Sequence, residues 1–273
     1  PAAPPGRAAP PGPLPQAAAA ALEALRDPEA PLEEALAAMS CDPSLTAGAL
    51  RMCNSAFMGL RRRVGTLREA AVYLGRRGLL EVVTASVAKR YLEPPLAGYA
   101  LAEGELWRHS VACSLAARSL QPRLGTGAHS ELAFTASLLH DIGKVVLNAF
   151  VAESLGRILQ LVRDKGLTFL EAERWTLGVD HAQVGGLIAR RWSFPPELAS
   201  AIEFHHQPCD PLSGLVHLAD AVVLQMGIGA GADGLAYALQ VQLDEEELRL
   251  EEVVLEVWEG LRATEDRLNV SGG

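Results

Sequence analysis

Aromatic side chains make up only 5% of this 273-residue chain, and nowhere do apolar residues alternate with polar ones in the period of a half-buried strand. Nearly half the residues are hydrophobic, and Ala, Leu, Glu and Arg dominate, which favours helices over strands. Cysteine is scarce as well. Cys41, Cys53, Cys113 and Cys209 form no CxxC pair and no zinc-knuckle spacing, so they read as reduced thiols of a cytosolic protein. Positive charge is in deficit, with 24 Lys and Arg against 33 Asp and Glu and a formal charge of -9. That excludes broad, sequence-independent nucleic-acid binding, which needs a basic face. A local patch of Arg61, Arg62, Arg63, Arg68, Arg76 and Arg77 stays open, either as an anion or nucleotide contact or as a solvated positive face. No apolar run reads as long enough to cross a membrane, and no charged segment followed by an apolar one opens the chain. A cytoplasmic protein without membrane attachment is the expectation.

What is present is helical pattern. Residues 1–15, almost entirely Pro, Ala and Gly, read as a disordered tail or the end of an interdomain linker. The first residue is proline, and an upstream sensor or receiver domain fits such a linker. Helices follow from Gln16. Asp42-Pro43 reads as an N-cap with proline at the first helical position. Thr66 with Glu69, Thr168 with Glu171 and Asp180 with Gln183 read as capping boxes. Pro94-Pro95 and Gly98 mark the best subdomain boundary. Long helices are expected at about Glu103–Leu120, Ser130–Phe150 and Leu212–Met226, with an acidic one at Asp244–Leu268. The fold class is all-α, a multi-helix bundle with an N-terminal helical subdomain. Its divisions are 1–15, 16–97, 98–229 and a C-terminal extension at 230–273.

The stretch Leu138-Leu139-His140-Asp141-Ile142-Gly143-Lys144 stands apart. Its flanks are apolar nearly all round, so the helix that carries it should be buried, and a buried aspartate needs a partner. Six of the seven histidines lie on helices or helix ends from His109 onward, together with Asp141 and Asp220. Imidazoles with carboxylates are a ligand set for zinc, iron or manganese, and without thiolates such sites are more often catalytic or substrate-binding than structural. Taken singly, each histidine has an ordinary explanation. His109 fits a hydrogen-bonded core position, His181 a helix start, and His205-His206 a helix C-terminus. His217, three residues before Asp220, reads as its neighbour rather than a ligand, and His129 beside a loop has no role.

The order His109, His140-Asp141, Asp220 resembles the H…HD…D signature of the HD superfamily of metal-dependent phosphohydrolases. The resemblance implies that these residues ligate one metal. His181 and His205-His206 resemble the extra ligands of the HD-GYP branch, which hold further metals, and Lys144 matches a lysine that approaches a substrate phosphate there. The whole chain is more similar to the HDOD domain, the HD-related output domain. The residues that carry this are Leu50-Arg51-Met52-Cys53-Asn54-Ser55-Ala56-Phe57, Val64–Ala70 and Leu74–Arg77. Leu106-Trp107-Arg108-His109-Ser110, His181–Gly186, Trp192-Ser193-Phe194-Pro195 and Ala219-Asp220 add to them. The similarity runs from about Ala18 to Gly229. After His206 the chain has Gln207-Pro208-Cys209-Asp210 and no Gly-Tyr-Pro segment, a departure that argues against cyclic-di-GMP hydrolysis.

Three readings follow. One is a bacterial signalling module with an HD-type metal site holding one or two divalent ions, acting through a partner protein or an upstream sensor or receiver domain. Another is a metal-dependent phosphohydrolase acting on a nucleotide or phosphoester, with the metal held by His109, His140, Asp141, His181, His205, His206 and Asp220 and Lys144 steadying the phosphate. The third is an all-α structural protein whose histidines only hydrogen-bond in the core.

Overall fold

The structure is a computed structural model that describes residues 14–54, 60, 62–124, 130–238 and 248–269. Most of the proline-rich tail, the 55–59 segment, Arg61, His129 and the stretch 239–247 lie outside the described residues. Those described are all-α, and the only β pairing among them is an isolated bridge between Leu96 and Leu101. The chain divides into two compact units, Pro13–Arg90 with Glu259–Gly273, and Tyr91–Trp258.

The first unit contains α1 (Gln16–Arg26), α2 (Leu32–Ser40), α3 (Pro43–Cys53) and most of α4 (Leu67–Leu92). Asp42 caps α3 by accepting from the Ser44 amide, and Pro43 follows where its missing N–H costs nothing. At the head of α4 the Glu69 amide donates to Thr66 Oγ1, while the Glu69 carboxylate reaches the Gly65 amide, one residue earlier than a standard capping box. Gly75 breaks α4 with φ 61°, a left-handed conformation that glycine tolerates. The Asn54 side chain pairs with both backbone groups of Val64 and so ties the end of α3 to the approach to α4. Arg76 donates to the carbonyls of Ala24 and Ala30, and Arg62 pairs with Glu69. These arginines of the basic patch thus serve the fold.

The second unit holds a 3-10 turn (Ala97–Tyr99), α5 (Glu105–Leu120), α6 (Ser130–Leu139), α7 (Ile142–Lys165), α8 (Phe169–Leu177), α9 (His181–Arg191), α10 (Pro196–Glu203), α11 (Pro211–Gln225) and α12 (Gly231–Ala238). It also takes the start of α13 (Leu250–Asn269). Helices α5, α6, α10 and α11 pack on one another, α9 lies against α7 and α10, and α8 lies against α7. Capping boxes at Thr168/Glu171 and Asp180/Gln183 start α8 and α9.

Three expectations are corrected. The helix expected over Ser130–Phe150 is two helices, broken at His140-Asp141, with α7 then continuous to Lys165. Its apolar flanks run on through the break, so periodicity alone does not reveal it. His205-His206 are not the end of a helix, since α10 stops at Glu203 and both lie in the following turn. Finally, the stretch Leu132–Lys165 does pass a length and composition test for a membrane span, with mean hydropathy 1.5. Core helices pass the same test, and this stretch carries the buried Asp141 and Lys144 in its first half.

Candidate metal centre

Asp141 occupies the N-cap position of α7, yet its carboxylate makes no cap hydrogen bond. It is turned inward and 2% exposed. What lets neighbouring elements reach it is Gly143. A Cβ there would lie 1.9 Å from the His181 carbonyl oxygen and 2.7 Å from the Gly185 nitrogen. Only a glycine permits α7 and the start of α9 to approach so closely, and that approach sets His181 beside Asp141.

The two carboxylate oxygens of Asp141 face two groups of imidazoles. Oδ2 lies 3.4 Å from His140 Nε2 and 3.8 Å from His109 Nε2. Oδ1 lies 3.5 Å from His181 Nε2 and 3.9 Å from His205 Nε2. Asp220, on α11, completes the first group, with Oδ1 3.2 Å from His109 Nε2 and 3.7 Å from His140 Nε2. His206 joins the second, its Nε2 2.9 Å from His181 Nε2. The structure thus brings together all seven residues expected to hold metal, with Lys144 against them. His217 is in none of these groups, and its Nδ1 donates to the His205 carbonyl.

The Nδ1 atoms of four of these imidazoles have partners of their own. His109 Nδ1 donates to the Ile228 carbonyl, His140 Nδ1 to Ser137, His205 Nδ1 to Ile202, and His181 Nδ1 to the Glu173 carboxylate. Each such bond selects the tautomer whose Nε2 lone pair points at the centre. His140 and His109 bring these nitrogens within 3.4 Å of each other, while His205 Nε2, fully buried, has no hydrogen-bond partner at all. Lone pairs crowded in this way favour a cation among them. Ligand atoms on a tetrahedral ion with bonds of about 2.1 Å stand roughly 3.4 Å apart, the spacing found here. The residues fit a divalent metal ion.

Burial and neighbouring charge pull these groups in different directions. Burial opposes a charge on His181, but the adjacent Glu173 carboxylate outweighs it and lifts the imidazole to about 9. His205 goes the other way, pushed down to about 3 by burial and then by His140. Burial would raise the Asp141 carboxyl, yet Lys144 and then His140 hold it well below its ordinary range.

Four participants carry no sequence signal of their own in the motif. Glu173 of α8, fully buried, binds the His181 amide and ring nitrogen and accepts from Tyr99 Oη at 2.5 Å. Asp233 of α12 meets Lys144 Nζ at 2.6 Å, opposite Asp141 at 2.7 Å. Cys113 sits one helical turn beyond His109, a spacing that is legible on a helix. A cavity of ≈ 350 Å³ adjoins the cluster, lined by the polar Lys144, His181, His206 and Asp220 and by the apolar Phe169, Leu170 and Leu224 among others.

Residues 12–208 match the HDOD domain family. The chain belongs to that family. An HDOD protein of unknown function from Geobacter sulfurreducens has the same fold, with TM-score 0.69, 23% identity, and coverage of 93% of this chain and 92% of that one. A Shewanella amazonensis SB2B protein provisionally named a phosphohydrolase gives TM-score 0.69 and 26% identity over 92% of this chain and 93% of that one. An uncharacterised Treponema pallidum (strain Nichols) protein is 26% identical over 183 residues, 67% of this chain and 35% of its own length. The HDOD chain therefore spans about a third of that curated relative.

Proposed function

We propose that this HDOD protein is a bacterial, cytoplasmic signalling module whose His/Asp cluster holds one or two divalent ions, and that it does not hydrolyse cyclic-di-GMP. The observation that carries this reading is the state of Lys144. Its ammonium is buried between Asp141 and Asp233, and the two carboxylates raise its pKa against the pull of burial. A lysine that is to stabilise a phosphate in turnover must offer unneutralised charge. This one is already matched by two anions. The absence of Gly-Tyr-Pro after His206 points the same way. A metal ion in such a site organises the surrounding helices and responds to a ligand, and the state is passed to a partner protein or an attached sensor or receiver domain.

The second reading, a metal-dependent phosphohydrolase, draws on the cavity beside the cluster and on the name of the Shewanella relative. Here His109, His140, Asp141, His181, His205 and Asp220 would hold the metal, which would supply a nucleophile from water and polarise a phosphate. The experiment is a turnover assay on protein shown by mass spectrometry to carry iron, manganese or zinc, with His140→Ala as the metal-poor control. Substrates are an aryl phosphate, nucleotides and cyclic-di-GMP. Metal bound without turnover supports the signalling reading. Turnover that Asp141→Ala abolishes replaces it with the hydrolase.

A further inference from the structure

Cys113 has no part in the reading above. On α5 it follows His109 by four residues, so the two side chains leave the helix on the same face. It is fully buried, and its Sγ lies 3.5 Å from His109 Nε2. That nitrogen is the lone-pair side of the ring, because Nδ1 is held by the Ile228 carbonyl. Cys113 Sγ, His109 Nε2, His140 Nε2 and a carboxylate oxygen of Asp220 all lie within 4.8 Å of one another. Asp220 Oδ1 is itself buried without a hydrogen-bond partner and aimed at His109 Nε2. A four-coordinate ion with bonds of about 2.1 Å to nitrogen and about 2.3 Å to sulfur places those ligands about 3.6 Å apart. The sulfur is already at that separation from His109 Nε2.

We infer that Cys113 is a ligand, as thiolate, of the metal ion held by His109, His140 and Asp220. The inference rests on the reading that this cluster binds metal. It adds a soft donor to a set otherwise built from imidazole and carboxylate. One metal ion enters and one thiol proton leaves to solvent. Two consequences follow. A sulfur ligand favours zinc or ferrous iron over manganese and magnesium. It also takes up a coordination position that a catalytic site leaves open for water, although Asp220 of this half lines the cavity together with His181 and His206.

The test is anaerobic titration of metal-free protein with cobalt(II), followed by absorption spectroscopy and by cobalt per chain. Wild type is expected to show a near-ultraviolet sulfur-to-cobalt charge-transfer band. Cys113→Ser is expected to lose that band while still binding cobalt, and in chelator competition to lose affinity for zinc but not for manganese. A triple variant, Cys41→Ser with Cys53→Ser and Cys209→Ser, leaves Cys113 as the sole thiol and should keep the band, which also answers the question if Cys113→Ser does not fold. Cobalt bound without the band in wild type, or a band surviving in Cys113→Ser, overturns the assignment and leaves the metal reading standing. No cobalt bound at all overturns both.

Discussion

The two units of this protein bury different things. Among the described residues of Pro13–Arg90, the buried interior is Leu22, Leu25, Met39, Leu45, Leu79 and their like, with Glu81 and Thr84 as its polar members. Tyr91–Trp258 has a comparable apolar core, but at its centre it buries His109, His140, Asp141, Lys144, Glu173, His181, His205, Asp220 and Asp233. Burying charge is expensive unless every group is paired, so a core of this kind is retained for what it binds. The first unit is held by area removed from water, the second by area plus a closed electrostatic account.

That contrast can be broken by mutation. The largest effect is expected for Gly143→Ala, because the new methyl would meet backbone atoms of His181 and Gly185 that cannot move aside. Denaturant unfolding should show a loss of more than about 4 kcal/mol. Gly65→Ala in the other unit, where nothing lies within 4 Å of the added carbon, should change stability by less than about 0.5 kcal/mol.

Next comes Lys144→Met, measured on protein stripped of metal. It leaves Asp141 and Asp233 buried without their shared cation, a loss of about 3–5 kcal/mol at neutral pH. Asp141 is held below its ordinary range by Lys144, so its stabilising contribution is present above the unfolded value and is lost as pH falls. The gap between wild type and Lys144→Met should therefore narrow on acidification. Leu79→Ala, fully buried in the apolar unit, should cost about 2–5 kcal/mol and leave the gap independent of pH. If both variants tracked pH alike, the contrast between the units would fail.

A smaller effect is expected at Glu173, which orients His181 without reaching the centre itself. Glu173→Gln should lower metal affinity about 10–100-fold, read by chelator competition, while helical content by circular dichroism stays unchanged. The smallest is at Asp210, which caps α11 by accepting from the Leu212 and Ser213 amides. Asp210→Ala should cost about 1 kcal/mol. Burial opposes the ionised form, but the Ser213 hydrogen bonds outweigh it and keep the carboxyl below its ordinary value. The cap therefore contributes fully above about pH 4 and fades as acid protonates it.

Local chemistry explains most of what could be read from the residues. Asp42-Pro43, Thr168 with Glu171 and Asp180 with Gln183 act on amides two or three positions away, so each helix start is visible without a fold. The residues of the His/Asp cluster were legible in another way, through their resemblance to a family pattern. Taken singly, His109 or His205 looks like an ordinary core or helix-end histidine. The break at His140-Asp141 was hidden because apolar residues continue on both sides of it.

Composition, helical period and capping chemistry therefore determine by themselves an all-α chain with its helix starts and a buried His140-Asp141. These depend on neighbours within about one turn. Only the tertiary structure decides that Asp141 faces two groups of imidazoles, that Glu173 and Tyr99 stand behind His181, and that Asp233 neutralises Lys144. Apart from His140, those partners lie between 8 and 89 residues apart in the chain, and no periodicity links positions so distant. Helix packing across Gly143 brings His181 beside Asp141, and the cost of leaving buried charge unpaired explains why each such group has found its partner.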